Sequence, residues 1–297
     1  MKQTKSTRRY GLIGYPVEHS FSKAMHEAAF KHLGIDASYE LFEVKSEDLE
    51  DFLLNRKDVI GFNITIPHKV RAREIFEDFL NSEPFDIGNH VEISGAINTV
   101  VRDKNRLYYA NTDAKGFLAA LQEDLHLEHK NIKDKNMLVF GCGGAGRAII
   151  AALAGAGGDG NIYIYDPSKT AADVAKKHFF KFSYLKEQLK FIAEDEIKNV
   201  IDSCRLLVNT SPIGMKEGDA SVINKKFLHK NLYVYDVVYN RETQLVKEAK
   251  ELGLKAAGGL KMLLHQGAWA FRIWTKQEPP IDVMFSALEQ ELKKCQK

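Results

Sequence analysis

The stretch NMLVFGCGGAGRAII, residues 136–150, constrains the fold of this chain more than any other. An apolar run of strand length meets G-x-G-x-x-G and passes directly into a helical pattern. Gly141 permits the tight turn, Gly143 puts no side chain in front of a pyrophosphate, and Gly146 lets the helix lie close to the sheet. Gly144 and Ala145 complete the loop, whose free N–H groups and helix dipole face an anion. Glycine-rich turns also arise for packing alone. Here the strand before and the helix after supply the context that a dinucleotide site requires.

The second strand of this unit ends in Asp166, twenty residues beyond Gly146. An acid at that distance accepts hydrogen bonds from the adenosine ribose hydroxyls, which favours NAD, and it repels the 2′-phosphate of NADP. Its bland alternative is a cap on the following helix. Lys169 is the nearby cation, a point charge without the fork of an arginine.

With 297 residues the chain is too long for one typical core. Its net charge is +2, with no basic patch or basic amphipathic helix, so neither a nucleic acid nor a membrane surface is expected as partner. No apolar run approaches the roughly 18 residues of a membrane span. The three cysteines, Cys142, Cys204 and Cys295, are scattered, which suits a reducing cytoplasm better than a disulfide framework or a metal site. The basic start, MKQTKSTRRY, lacks an apolar core and reads as a frayed tail.

Strand and helix patterns alternate along the chain, predicting an α/β fold with parallel sheets covered by helices. Strands are expected at 9–14, 38–44, 59–65, 136–141, 161–166, 205–210 and 232–238. Helices are expected at 22–34 (Ser22 as N-cap, Gly34 as stop), 69–80, 113–125, 145–157 and over the last ~40 residues. GAINTVVR and RLYYAN flank DKN as a hairpin, and 128–136 is polar and linker-like.

Candidate chemistry collects in the first half. GFNITIPHK, 61–69, reads as a buried strand that nevertheless carries Asn63, Thr65 and Lys69. Pro67 fixes the chain where Lys69 must be aimed. Ser20 and Ser22 stand between a strand and a helix, where two hydroxyls beside helix N–H groups suit a carboxylate; N-capping explains one of them. Asp113, in NTD, is by default a helix cap. Paired with Lys69 across a cleft, it would aim a proton donor at the alkoxide that forms when a ketone receives hydride. His19, His26, His68 and His265 show no ligand spacing and read as structural, so no metal is expected.

Taken together, GYPVEHSFS, GFNITIPHK, GAINTV, NTDAKGF, GCGGAGRAI, VNTSPIGM, DVVYN and GLKMLLHQGAWAFRIW resemble the shikimate dehydrogenase family, in its order, over residues 9 to 275. The resemblance implies a substrate domain at 9–113, completed by C-terminal helices at 260–297, and a Rossmann doubly wound cofactor domain at 114–259. It implies reversible NADP-linked reduction of 3-dehydroshikimate to shikimate in aromatic amino-acid biosynthesis, by a monomer or a homodimer. By position, Ser20 and Ser22 match the serines that bind the substrate carboxylate, and Lys69 and Asp113 match the catalytic lysine and its partner. Thr65, Asn98, Tyr239 and Gln266 match further substrate positions. Gly141 to Ala145 match the phosphate loop, and Gly259 and Met262 lie in the segment approaching the nicotinamide.

Departures bear on specificity. Lys23 and Glu27 replace the family's proline and asparagine in S-x-S-P-x-x-H-N, and Lys23 adds a cation near the carboxylate site. D-P-S at 166–168 stands where NADP-using members carry N-R-T, so the arginine for the 2′-phosphate is missing and NAD comes into view. Related quinate/shikimate dehydrogenases use NAD, though Thr65 resembles the shikimate-specific branch. Other readings are a methylenetetrahydrofolate dehydrogenase, opposed by the S-x-S and N-T-D motifs, and a non-catalytic cofactor sensor, opposed by the presence of Lys69 and Asp113.

Overall fold

The computed structural model describes residues 7–78, 82–85, 90–104, 106–132, 134–155 and 158–295. In chain order it contains β1 (Arg8–Gly14), α1 (Ser22–His32), β2 (Ala37–Glu43), α2 (Leu49–Asn55), β3 (Val59–Ile64), α3 (Lys69–Asp78), β4 (Ser82–Pro84), α4 (His90–Ser94), β5 (Thr99–Asp103), β6 (Arg106–Ala110) and α5 (Asp113–Leu125). The second half contains β7 (Asn136–Phe140), α6 (Gly144–Ala154), β8 (Ile162–Tyr165), α7 (Lys169–Phe179), β9 (Leu189–Phe191), α8 (Ile197–Val200), β10 (Cys204–Asn209), β11 (Tyr233–Asp236), α9 (Gln244–Glu251), β12 (Ala256–Gly258), α10 (Leu260–Thr275) and α11 (Ile281–Cys295).

The strands form two sheets. The second, β12-β11-β10-β7-β8-β9, is parallel throughout, with its order reversing between β7 and β10. That reversal opens a crevice at the strand ends, where doubly wound sheets bind ligands. The first sheet, β2-β1-β3-β5-β6-β4, is mixed, not purely parallel: β3 pairs antiparallel with β5, and β5 with β6. The hairpin requires this, because Asp103 and Arg106 close it through a turn too short for a crossover. Asn105 of that turn lies outside the described residues, as do residues 1–6 of the predicted tail, 79–80 of the helix expected at 69–80, Lys133 of the linker-like segment, 156–157 at the end of the glycine-loop helix, and 296–297. The short strands β4, β9 and β12 and the short α4 carried no periodic signal.

Each sheet has its own core. Met137, Val139, Ile149, Leu153 and Ile164 pack with Phe117 and Leu121 of α5. Tyr10, Phe21, Met25, Phe30 and Tyr39 pack with Phe271, Trp274, Met284 and Leu288 of α10 and α11. The chain thus leaves the second sheet at β12 and returns to the first. Trp274 pins the return by donating its indole N–H to the Val100 carbonyl at 2.9 Å. Burying these large aromatics stabilises the return by about 2 kcal/mol per side chain.

Two caps differ from expectation. Ser22 is the first residue of α1, not its N-cap; Phe21 precedes the helix, and the Ser20 hydroxyl accepts the Ser22 N–H at 3.3 Å. Asp113 does not cap α5 either, because its carboxylate is drawn toward Lys69 and Asn98. Gly34 ends the first helical segment as expected, at φ +62°.

Candidate active site

A cleft between the two sheets gathers residues that the sequence scatters. From the first half come Ser20, Ser22, Asn63, Thr65, Lys69, Asn98 and Asp113. From the second come Ala145, Thr210, Ser211, Met215, Tyr239, Asn240, Gly259 and Met262, and α10 adds Gln266.

Lys69 opens α3 directly after Pro67 and His68, and its backbone carbonyl accepts the Ile97 N–H at 2.9 Å. Its ammonium lies 2.5 Å from Asp113 Oδ2, with only 12% and 5% of the two side chains exposed. Such a pair is far better shielded from water than the surface ion pairs of this molecule. Asn98 orients it. Its Nδ2 donates to Asp113 Oδ1 at 2.8 Å, Thr112 Oγ1 at 2.9 Å and Gln266 Oε1 at 3.3 Å. Its Oδ1 accepts the Thr112 N–H at 2.8 Å. The Asn111 side chain accepts the Asp113 N–H at 3.0 Å and donates to the Ala96 carbonyl at 2.9 Å, so the whole N-T-D turn is clamped.

Asn63 lines the same cleft, but both ends of its amide are engaged. Oδ1 accepts from the Tyr39 hydroxyl at 2.9 Å, and Nδ2 donates to the Asn98 carbonyl and Thr99 Oγ1, each at 3.1 Å. It braces the floor beneath Asn98. At the other end, Ser20, Ser22 and Tyr239 offer three hydroxyls. Burial raises the Tyr239 phenol pKa, with the Ser20 hydroxyl and the Phe21 backbone pulling partly back, so Tyr239 stays a neutral hydroxyl. Lys23 does not line this end. It sits on the outer face of α1 beside Glu27, four residues on, at 3.9 Å.

The glycine loop reaches the opposite side of the cleft at Ala145 and meets the Lys69 stem at Gly144, whereas Gly141 and Gly143 lie back from the cleft lining. Gly141 adopts φ +92°, open to glycine alone without strain, and Thr210 Oγ1 donates to the Phe140 and Gly141 carbonyls, each at 2.8 Å. A Cβ on Gly143 would meet nothing within 4 Å, which leaves the approach clear for a pyrophosphate at the N-terminus of α6. The loop therefore fits a dinucleotide. Asp166 and Lys169 do not line the cleft. Asp166 Oδ2 accepts the Cys142 N–H at 2.9 Å and Oδ1 the Ser168 N–H at 2.9 Å. The cap of α7 is Ser168, not Asp166, and Lys169 is that helix's exposed first residue.

Of the histidines, His68 is buried with a ring nitrogen 2.6 Å from the Val44 carbonyl. His26 is fully buried, stacked on Tyr39 at 4.6 Å, and burial pushes its pKa down to about 3. His265 meets Glu123 at 2.8 Å on the surface. Thr210, Ser211, Met215 and Asn240 had no role assigned from sequence, although VNTSPIGM and DVVYN carried the signal.

A shielded proton donor facing a dinucleotide loop is the equipment of an oxidoreductase that interconverts an alcohol and a ketone. Comparison with known proteins gives that class its family. Residues 12–100 match the shikimate dehydrogenase substrate binding domain, and residues 259–289 match the shikimate 5′-dehydrogenase C-terminal domain. Shikimate dehydrogenase (NADP(+)) of Methanopyrus kandleri is 35% identical over 292 residues, covering 97% of each chain. The crystal structure of Thermus thermophilus shikimate 5-dehydrogenase in complex with NADP(H) and shikimate superposes with a TM-score of 0.78, at 32% identity over 96% of this chain and 99% of that one. Quinate dehydrogenase of Corynebacterium glutamicum, in complex with NAD, reaches a TM-score of 0.80 at 28% identity over 96% and 99%. The chain belongs to the shikimate dehydrogenase family.

Proposed function

We propose that this enzyme catalyses the reversible reduction of 3-dehydroshikimate to shikimate in the cleft between the sheets, within aromatic amino-acid biosynthesis. The observation that carries the reading is the shielded Lys69–Asp113 pair, held by Asn98 and facing the glycine loop. When bound, the nicotinamide supplies hydride to the substrate ketone or takes it from the alcohol. Lys69 gives its proton to the ketone oxygen in reduction and takes one from the alcohol in oxidation. Asp113 aims the lysine and accepts from a substrate hydroxyl. Ser20, Ser22 and Tyr239 receive the carboxylate, while Thr65, Asn98 and Gln266 bond the ring hydroxyls. Gly259 and Met262 border the nicotinamide, and Gly141, Gly143, Gly144 and Ala145 hold the pyrophosphate. Such a division makes residues 9–113 with 260–297 the substrate domain and 114–259 the cofactor domain.

For the dinucleotide we infer that NAD is preferred. The Asp166 carboxylate closes the second strand of the Rossmann unit, and no arginine follows it. The NADP(+) in the Methanopyrus kandleri relative's name points the other way. No described helix is long and apolar enough to cross a membrane, and the free cysteines suit a reducing cytoplasm. An absorbance assay at 340 nm, offering shikimate and quinate each with NAD and NADP, tests the reading. Shikimate oxidation faster with NAD is expected. Turnover of quinate alone would make this a quinate dehydrogenase, and no turnover would defeat the catalytic reading.

A further inference from the structure

The four glycines of the loop meet different neighbours. A Cβ on Gly146 would strike the Gly141 carbonyl oxygen at 2.4 Å and Thr210 Oγ1 at 2.6 Å, so that glycine lets the loop close on itself. Gly141 turns the chain, and Gly143 faces open space. Gly144 does none of these things. It is the first residue of α6, its φ is not positive, and it faces Lys69. A Cβ there would lie 2.5 Å from Lys69 Cβ, 2.9 Å from Cδ and 3.1 Å from Cγ. The lysine stem from Cβ to Cδ therefore occupies the space that a Gly144 side chain would need.

That contact crosses the cleft. Lys69 follows a strand of the first sheet and Gly144 a strand of the second, and a lysine stem has four rotatable bonds to be restrained. Asp113 holds the ammonium at one end, and the start of α3 fixes the backbone at the other. The stem between them needs a wall, and the glycine supplies one with no side chain to intrude. We propose that Gly144 is a positioning residue for Lys69: the loop that cradles the pyrophosphate also buttresses the acid/base lysine. The proposal rests on the reading of Lys69 given above. It implies that aiming the proton donor depends on the two halves standing close together, so that proton transfer and dinucleotide binding share one wall.

The test compares Gly144→Ala with Gly143→Ala in the full-length enzyme. Both keep the backbone N–H groups, so both can still bond a phosphate. Gly143→Ala, whose new methyl enters the dinucleotide's approach, should raise the dinucleotide Kd, read by fluorescence, by a larger factor than it lowers kcat at saturation. Gly144→Ala should leave that Kd within about threefold and lower kcat about tenfold or more, because misplacement by about 1 Å costs that much. Unchanged kcat in folded Gly144→Ala, or a loss explained wholly by the dinucleotide Kd, would overturn the proposal. Lys69→Ala run alongside separates the two claims: full turnover there defeats the role of Lys69 itself, whatever Gly144→Ala does. Should Gly144→Ala fail to fold, Lys69→Gly/Gly144→Ala removes the opposing Cβ and should fold again. Failure of the double variant while Lys69→Gly folds would show that Lys69 is not what Gly144 accommodates.

Discussion

The two walls of the cleft are built by opposite strategies. The dinucleotide wall is local: six consecutive residues, 141–146, turn, approach and cap, braced from outside by Thr210, Asp166, the Tyr165 carbonyl and the Arg147 side chain. The substrate wall is assembled from afar. Lys69 and Asp113 stand 44 positions apart, and Asn98 reaches Gln266 across 168. A local device tolerates change elsewhere, since its geometry is written in its own backbone. An assembled one depends on every segment that delivers a residue, so its failures should be larger and more strongly coupled.

Below the loss of Lys69 itself, the largest effect should come from Asn98→Ala. It removes bonds to Asp113, Thr112 and Gln266 together, and leaves the buried Thr112 N–H without its partner. We expect kcat/KM to fall about a hundredfold and the melting temperature to drop by the equivalent of about 2 kcal/mol. An effect under threefold on both would mean that the substrate wall is not assembled through Asn98. On the other wall, Asp166→Asn should shift the NADP-to-NAD preference toward NADP by about tenfold, the scale of removing one charge near a phosphate. Steady-state kinetics with each dinucleotide measure this, and an unmoved ratio would confine Asp166 to bracing Cys142. Gln266→Ala should raise the KM for shikimate severalfold, the scale of one lost hydrogen bond, and leave the KM for dinucleotide in place; the reverse pattern would put α10 on the wrong wall.

The effect with the least bearing on turnover concerns stability beneath the site. His26 is buried, and its folded pKa, about 3, lies below the unfolded value of 6.5. The sign follows: its neutral form contributes stability that is fully present above pH 6.5 and is lost as pH falls toward 3, because only the unfolded chain takes up the proton. His26→Phe should therefore flatten the decline of melting temperature between pH 6 and 4, by up to a few kcal/mol of unfolding free energy. A decline as steep as in the unaltered protein would show that other groups set the acid limit.

What the sequence disclosed follows the same division. The glycine loop, its strand and its helix were legible because backbone demands are local, and α10 and α11 fall within the last ~40 residues expected to be helical. The residues alone leave Asp113 between a helix cap and a partner for Lys69; the resemblance favours the pair. The structure shows why the cap reading fails: the carboxylate is outbid by an ammonium and an amide from distant segments. Asn63 illustrates the same limit. It stands between Phe62 and Ile64 in a strand and lines the cleft, yet nothing nearby in sequence reveals that Tyr39, Asn98 and Thr99 occupy its amide. Short strands such as β4 and β12 stayed hidden because three residues hold too little pattern to read.

The central claim is that the assembled wall exists to deliver a proton through Lys69. Its most direct test is kcat for shikimate oxidation in folded Lys69→Ala, with the binding of shikimate and dinucleotide measured separately by fluorescence. The account predicts a fall of two or more orders of magnitude in kcat, with dinucleotide affinity essentially kept. Turnover within a few-fold of the unaltered enzyme would contradict it and send the search for the proton donor elsewhere in the cleft.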